Sequence, residues 1–185
     1  MSAQNSYGYA TPCGVAGGIY DLSPYAIDAR LNGEEKAGVL KLGMGVIQGE
    51  TPGNNIVVPD STATADKFEG IVVNGNTVEQ DMDGNAVLKP KTTVGVMRYG
   101  KVWGRVTSTA VPVYGANVYL TVEGEEAGCF TEAADGAIAI NARFIGSKGS
   151  GNIAPIELFN QMPVMAAAGS SETEDVNQGG NNNEI

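Results

Sequence analysis

Residues 92–106 read TTVGVMRYGKVWGRV, and this stretch decides the fold class. Val, Thr, Tyr and Trp dominate it, side chains that pack well on a pleated surface. Two short strands, 92–98 and 101–106, flank Tyr99-Gly100, which reads as a turn signal. From residue 101 onward the pattern has a period of two. Val102 and Val106 fall on one face, and Lys101, Trp103 and Arg105 on the other. That alternation marks a strand with one buried face.

The same texture extends in both directions. Further strand candidates are 39–48, 55–58, 68–73, 86–88, 117–122, 137–145 and 153–159, all rich in Val, Ile, Thr and Tyr. Between them stand Asn74-Gly-Asn, Asp83-Gly-Asn, Tyr114-Gly, Glu123-Gly and Asp135-Gly, each a turn signal. Ile138, Ile140, Ala142 and Phe144 repeat the alternation. Short strands at roughly 8–12-residue spacing predict an all-β protein. The expected architecture is a compact β-barrel or sandwich of about 8–10 short strands. Helical signal is scant: residues 27–36 would give one or two turns, with Gly33 interrupting them.

Composition divides the chain into three regions. Residues 1–36 form an extended arm rich in Gly, Pro and Tyr, with Tyr7, Tyr9, Tyr20 and Tyr25 among its side chains. Four tyrosines are too much apolar area to leave in water without purpose, so the arm packs either on another protein or on its own domain. Residues 37–160 form the barrel-like domain. Residues 161–185 read as a low-complexity, flexible acidic tail, whose composition buries too little to offset its ordering entropy.

Charge and composition exclude several functions. The net charge is −10, from 11 basic and 21 acidic side chains, opposite in sign to what a bare nucleic-acid binder needs. Direct contact with nucleic acid is therefore not expected. Residues 1–36, 37–168 and 169–185 contribute −2, −4 and −4 respectively. The longest apolar run falls far short of the ~20 residues that span a bilayer, so no membrane partner is expected. The first residues lack the basic and apolar regions of a secretory signal, which predicts synthesis in the cytoplasm and free thiols at Cys13 and Cys129.

Catalytic constellations are missing from the sequence. It contains no histidine, which removes the commonest general base and metal ligand together with every imidazole triad. Asp81-Met-Asp-Gly-Asn resembles the start of a calcium loop, but its glycine is misplaced and Thr92 stands where a bidentate Glu should be. Glu123, Glu125 and Glu126 surround Gly124 as an exposed turn would. No cofactor or metal is expected. The informative cluster is Arg98, Trp103 and Arg105, which sets cations beside the sole tryptophan. Trp and Arg are enriched where proteins meet proteins. A barrel-core Trp with solubilising arginines is the competing reading.

The order of short motifs supplies a resemblance. A Gly/Pro-rich arm ending in Tyr20-Asp and Arg30 leads to GMGVIQG from residue 43 and FEGIVV from residue 68. VMRYGKVWGRV follows from residue 96, VPVYGANVY from 111, ARFIG from 142 and IEL from 156. This order resembles the structural cement, or capsid decoration, proteins of tailed bacteriophages over about residues 12–160. The resemblance implies a β-barrel-like, non-enzymatic virion protein on the outer surface of the expanded capsid. Its implied partners are the major capsid protein and further copies of itself, commonly as a trimer. The family supplies no catalytic residues to transfer, and the acidic tail lies outside the pattern. The candidate interface residues are thus Tyr7, Tyr9, Tyr20, Tyr25, Arg98, Trp103 and Arg105. A β-rich module recognising glycans or a host surface is the alternative function, and a carboxylate hydrolase is a third.

Overall fold

The computed structural model describes residues 13–75, 79, 80, 82 and 85–159. The expected calcium-like loop at 81–85, Tyr7, Tyr9 and the acidic tail fall wholly or largely outside these residues. Among the described residues, eleven strands make up nearly all the regular structure: β1 (Ala26–Asn32), β2 (Gly45–Gln48), β3 (Asn55–Val57), β4 (Phe68–Val72), β5 (Glu79–Gln80) and β6 (Ala86–Val87). The remainder are β7 (Thr93–Arg105), β8 (Asn117–Thr121), β9 (Phe130–Thr131), β10 (Ala137–Phe144) and β11 (Ile153–Leu158). A single 3₁₀ turn, Ala65–Lys67, leads into β4. The all-β expectation holds.

Five strands close into a barrel in the order β1-β3-β2-β4-β7, with β1 returning to pair with β7. Closure removes the exposed edges that would otherwise template pairing with other chains. The far half of β7 continues into a second run, β7-β11-β10-β8-β9. That run also bends back on itself. A parallel bridge joins Val106 to Phe130, and the Thr107 amide donates to the Phe130 carbonyl at 2.9 Å. Strand β7, thirteen residues long, is thus shared by both halves.

Two features depart from the sequence reading. First, residues 92–106 form one strand and not two. Gly100 adopts φ +123, where the chain kinks without breaking. A Cβ there would stand 2.6 Å from the Cβ of Tyr25, so only glycine lets the arm pass this close. Second, the expected helical turns at 27–36 are instead β1, zipped antiparallel to β7 from Ile27↔Met97 to Leu31↔Thr93. Long-range backbone pairing with β7 outweighs the weak local helical signal.

Two apolar clusters fill the interior. One gathers Leu40, Leu42, Val46, Ile56, Val72, Leu88, Val94 and Val96, mostly from the closed barrel. The other runs through Ile71, Met97, Val102, Leu120, Phe130, Phe144 and Ile156, where the barrel meets the second run. Phe130 and Phe144 are wholly buried in it. Gly104 on β7 makes room for Phe130: a Cβ there would lie 2.6 Å from Ile156 Cδ1 and 3.0 Å from the Phe130 ring. The expected alternation on β10 holds too, with Ala142 and Phe144 buried and Ile138 and Ile140 packed against the same cluster.

Candidate interaction surface

The segment before β1 continues the pairing that β1 makes with β7. The Gly17 amide donates to the Trp103 carbonyl at 2.7 Å, and the Trp103 amide to the Gly18 carbonyl at 2.9 Å. The Tyr20 amide reaches the Lys101 carbonyl at 2.9 Å, and Ile19 bridges Val102. Residues 17–20 and 26–32 therefore line one edge of β7, the first beside its far half and the second beside its near half. Between them residues 21–25 leave the sheet as a loop.

The base of this loop is fastened by polar contacts. Lys101 Nζ donates to Asp21 Oδ2 at 2.8 Å and to Ser23 Oγ at 3.0 Å, while the Ser23 amide donates to Asp21 Oδ1 at 2.9 Å. Hydrogen bonds from Lys101 and Ser23 stabilise the ionised carboxylate and hold the Asp21 pKa down to about 2, against the ordinary 3.8. The same contact raises the Lys101 pKa. Exposed pairs of this kind contribute little free energy. Their effect here is geometric, since they fix where the loop points.

The loop points its apolar side chains outward. Leu22 is 97% exposed, Tyr25 48% and Tyr99, paired across from Ala26, 42%. Ile27 adds a further exposed aliphatic side chain at the start of β1. These four are exposed apolar side chains in the loop, at the start of β1 and in the middle of β7. A charged group is present too: Arg98 meets Asp28 at 3.3 Å, and Arg30 meets Asp28 at 3.0 Å and the buried Glu69 at 3.4 Å.

The candidate residues separate on this framework. Tyr25 is exposed at the end of the loop, and Arg98 pairs with Asp28 on β1. Trp103 is only 8% exposed, roofed by Gly14 and flanked by Tyr20, whose ring centroid lies 5.5 Å away. Arg105 is half-buried, and its Nε donates to the Leu42 carbonyl at 2.8 Å. Tyr20, Trp103 and Arg105 therefore have partners within the chain. Leu22, Ile27 and Tyr99 were not among the sequence candidates. The signal for the first lay in Asp21-Leu-Ser-Pro, where Asp and Ser cap a turn and Pro24 forbids continued strand pairing.

Among the described residues no three His, Cys, Asp or Glu side chains are grouped to hold a metal ion. No helix among them is long and apolar enough to cross a membrane.

Comparison with known proteins agrees with this architecture. No curated protein matches the chain. Among solved structures, a chain from the capsid of Myoviridae phage XM1 is similar, with a TM-score of 0.64 and 22% sequence identity. The likeness covers 88% of this chain and 100% of that one, and at this identity it establishes the fold. The family model described as structural cement protein (E217 gp24/Pam3 gp6) matches residues 3–159. The chain belongs to the phage structural cement protein family, and its role is structural, in the capsid of the virion.

Proposed function

We propose that the protein sits on the outer surface of the expanded phage capsid and stabilises it by bridging major capsid protein subunits, without catalysis. The observation that carries this reading is the exposure of Leu22 and Tyr25 on a loop fastened by Asp21, Ser23 and Lys101, on a cement-family fold. A fully exposed Leu on a fastened loop is the form an anchor takes when its socket is on another protein. Residues 1–12, with Tyr7 and Tyr9, extend the same segment and add contacts to a neighbouring subunit. Copies associate as a trimer on the lattice, in keeping with the family resemblance. A protein that binds the assembled lattice but not separated subunits stabilises assembly by mass action. Several modest contacts per copy multiply through effective concentration. The net charge of −10 keeps free copies soluble and away from nucleic acid. Synthesis in the host cytoplasm accords with the reduced thiols.

The test is binding to expanded, undecorated capsids. Leu22→Asp combined with Tyr25→Asp should weaken binding at least ~10-fold, about 1.4 kcal/mol, with circular dichroism and melting unchanged. Removing residues 1–12 should weaken it as well. Undiminished binding by both folded variants would place the interface elsewhere and overturn the assignment.

A further inference from the structure

We propose that Asn74 is a self-modification site, which deamidates through a succinimide to aspartate and isoaspartate, while the fold protects Asn32 from the same reaction. The chain has two Asn-Gly pairs, Asn32-Gly33 and Asn74-Gly75. In such a pair the glycine amide nitrogen can attack the asparagine side-chain carbonyl carbon, because the glycine has no Cβ to hinder the approach. At position 74 the bond from the Gly75 nitrogen to Asn74 Cγ forms and the Cγ–Nδ2 bond breaks. The side-chain nitrogen leaves as ammonia, taking the proton that the glycine amide gives up. Water then adds to one of the two imide carbonyls. Opening at one gives aspartate, and opening at the other gives isoaspartate, with the main chain running through the former side chain. Water is the sole co-reactant.

The structure separates the two pairs. Asn32 is fully buried at the end of β1. Its Nδ2 donates to the Lys89 carbonyl at 2.9 Å, and its Oδ1 accepts the Glu34 amide at 3.1 Å. The attacking atom is engaged as well, since the Gly33 amide donates to the Ile56 carbonyl at 2.9 Å. Ring closure at Asn32 therefore requires these hydrogen bonds to break and the end of β1 to open. Position 74 is the opposite case. The backbone is anchored as far as this residue: the Val73 amide donates to the Gly95 carbonyl at 2.9 Å, and the Asn74 amide to the Gly17 carbonyl at 2.8 Å. Past that anchor, Asn74 and Gly75 are both exposed, and a Cβ built on Gly75 would meet no atom within 4 Å. The ring has room to close without disturbing the sheet. The reaction adds one negative charge at the residue whose amide holds Gly17 of the arm, and isoaspartate also adds a main-chain carbon there. It needs no capsid, so it stands apart from the proposed docking.

Peptide mapping of the full chain tests this. Folded protein is held in warm, mildly alkaline buffer and then digested with trypsin. Cleavage after Arg30, Lys36 and Lys67 puts Asn32 and Asn74 in separate peptides, and mass spectrometry reads the replacement of amide nitrogen by oxygen in each. Asn32 reacts only from an opened state, whose population is set by the free energy of opening, so conversion at Asn74 should be at least ~10-fold faster. In denaturant the two rates should converge, because the pairs are then chemically alike. Gly75→Ala, for which there is room, should suppress conversion at Asn74 with circular dichroism unchanged. Three results would overturn the proposal. The first is an intact Asn74 in the folded protein, and the second is matching native rates at Asn32 and Asn74. The third is Gly75→Ala reacting as fast as the parent, which would make the reaction a direct amide hydrolysis without ring closure.

Discussion

Gly14 lies flat against the indole of Trp103, so close that any side chain at position 14 would collide with the ring. This contact turns an arm residue into part of the domain, because it seals the sole tryptophan from water. Gly14→Val should lift the segment from the ring. The expected cost is about 1–3 kcal/mol, as for overpacking elsewhere. Denaturant unfolding would give the loss and a red-shifted Trp emission its cause. Unshifted emission would show that the segment does not shield Trp103.

The loop fastening gives an acid dependence of defined sign. The Asp21 carboxyl titrates near 2 in the folded protein and near the ordinary 3.8 when unfolded. A folded pKa below the unfolded one means its contribution is fully present above pH ~3.8 and fades as the pH falls toward 2. Asp60 and Asp66, hydrogen-bonded by the Thr62 and Thr64 hydroxyls, shift in the same direction. Comparison with Asp21→Asn isolates the one group. The variant should lose stability less steeply than the parent between pH 4 and 2, and parallel curves would contradict the assignment.

The two thiols should react at very different rates. Cys13 is exposed, whereas Cys129 is partly buried, and that desolvation raises its pKa, with Glu126 adding to the effect. The thiolate is the nucleophile, so a raised pKa lowers its population at pH 8. Reagent titration of the native protein should find one fast and one slow thiol, and two fast ones in denaturant. Equal native rates would argue against burial of Cys129.

Phe130 occupies the junction between the barrel and the second run, with no exposed surface. Phe130→Ala should cost about 3–5 kcal/mol, the range for emptying a filled aromatic site. Because its backbone also closes the second run on Val106 and Thr107, loss of packing should loosen that closure. Hydrogen exchange at the Thr107 amide should accelerate more than at the amides of β1. Uniform acceleration would show that the two halves open together.

The sequence by itself determined the β class, the approximate positions of most strands and the exclusion of imidazole chemistry. Those follow from local properties: residue type, period and the presence or absence of a side chain. The order of its short motifs carried the family as well. Tertiary structure alone decided what became of the arm. Residues 26–32 hold little strand signal, and they became β1 because β7 offered an unpaired edge. Tyr99-Gly100 looks locally like a turn, yet β11 pairs through Gly100 and keeps β7 continuous. Trp103 and Arg105 alternate on a strand face that sequence could read as outward. Gly14, Tyr20 and the Leu42 carbonyl, all at least sixty residues earlier, make that face internal. Leu22, by contrast, stays exposed because Asp21 and Ser23 spend their hydrogen bonds on Lys101 and hold the loop away from the sheet. Contacts between distant residues set the outcome at each of these points, and a local pattern holds no record of them.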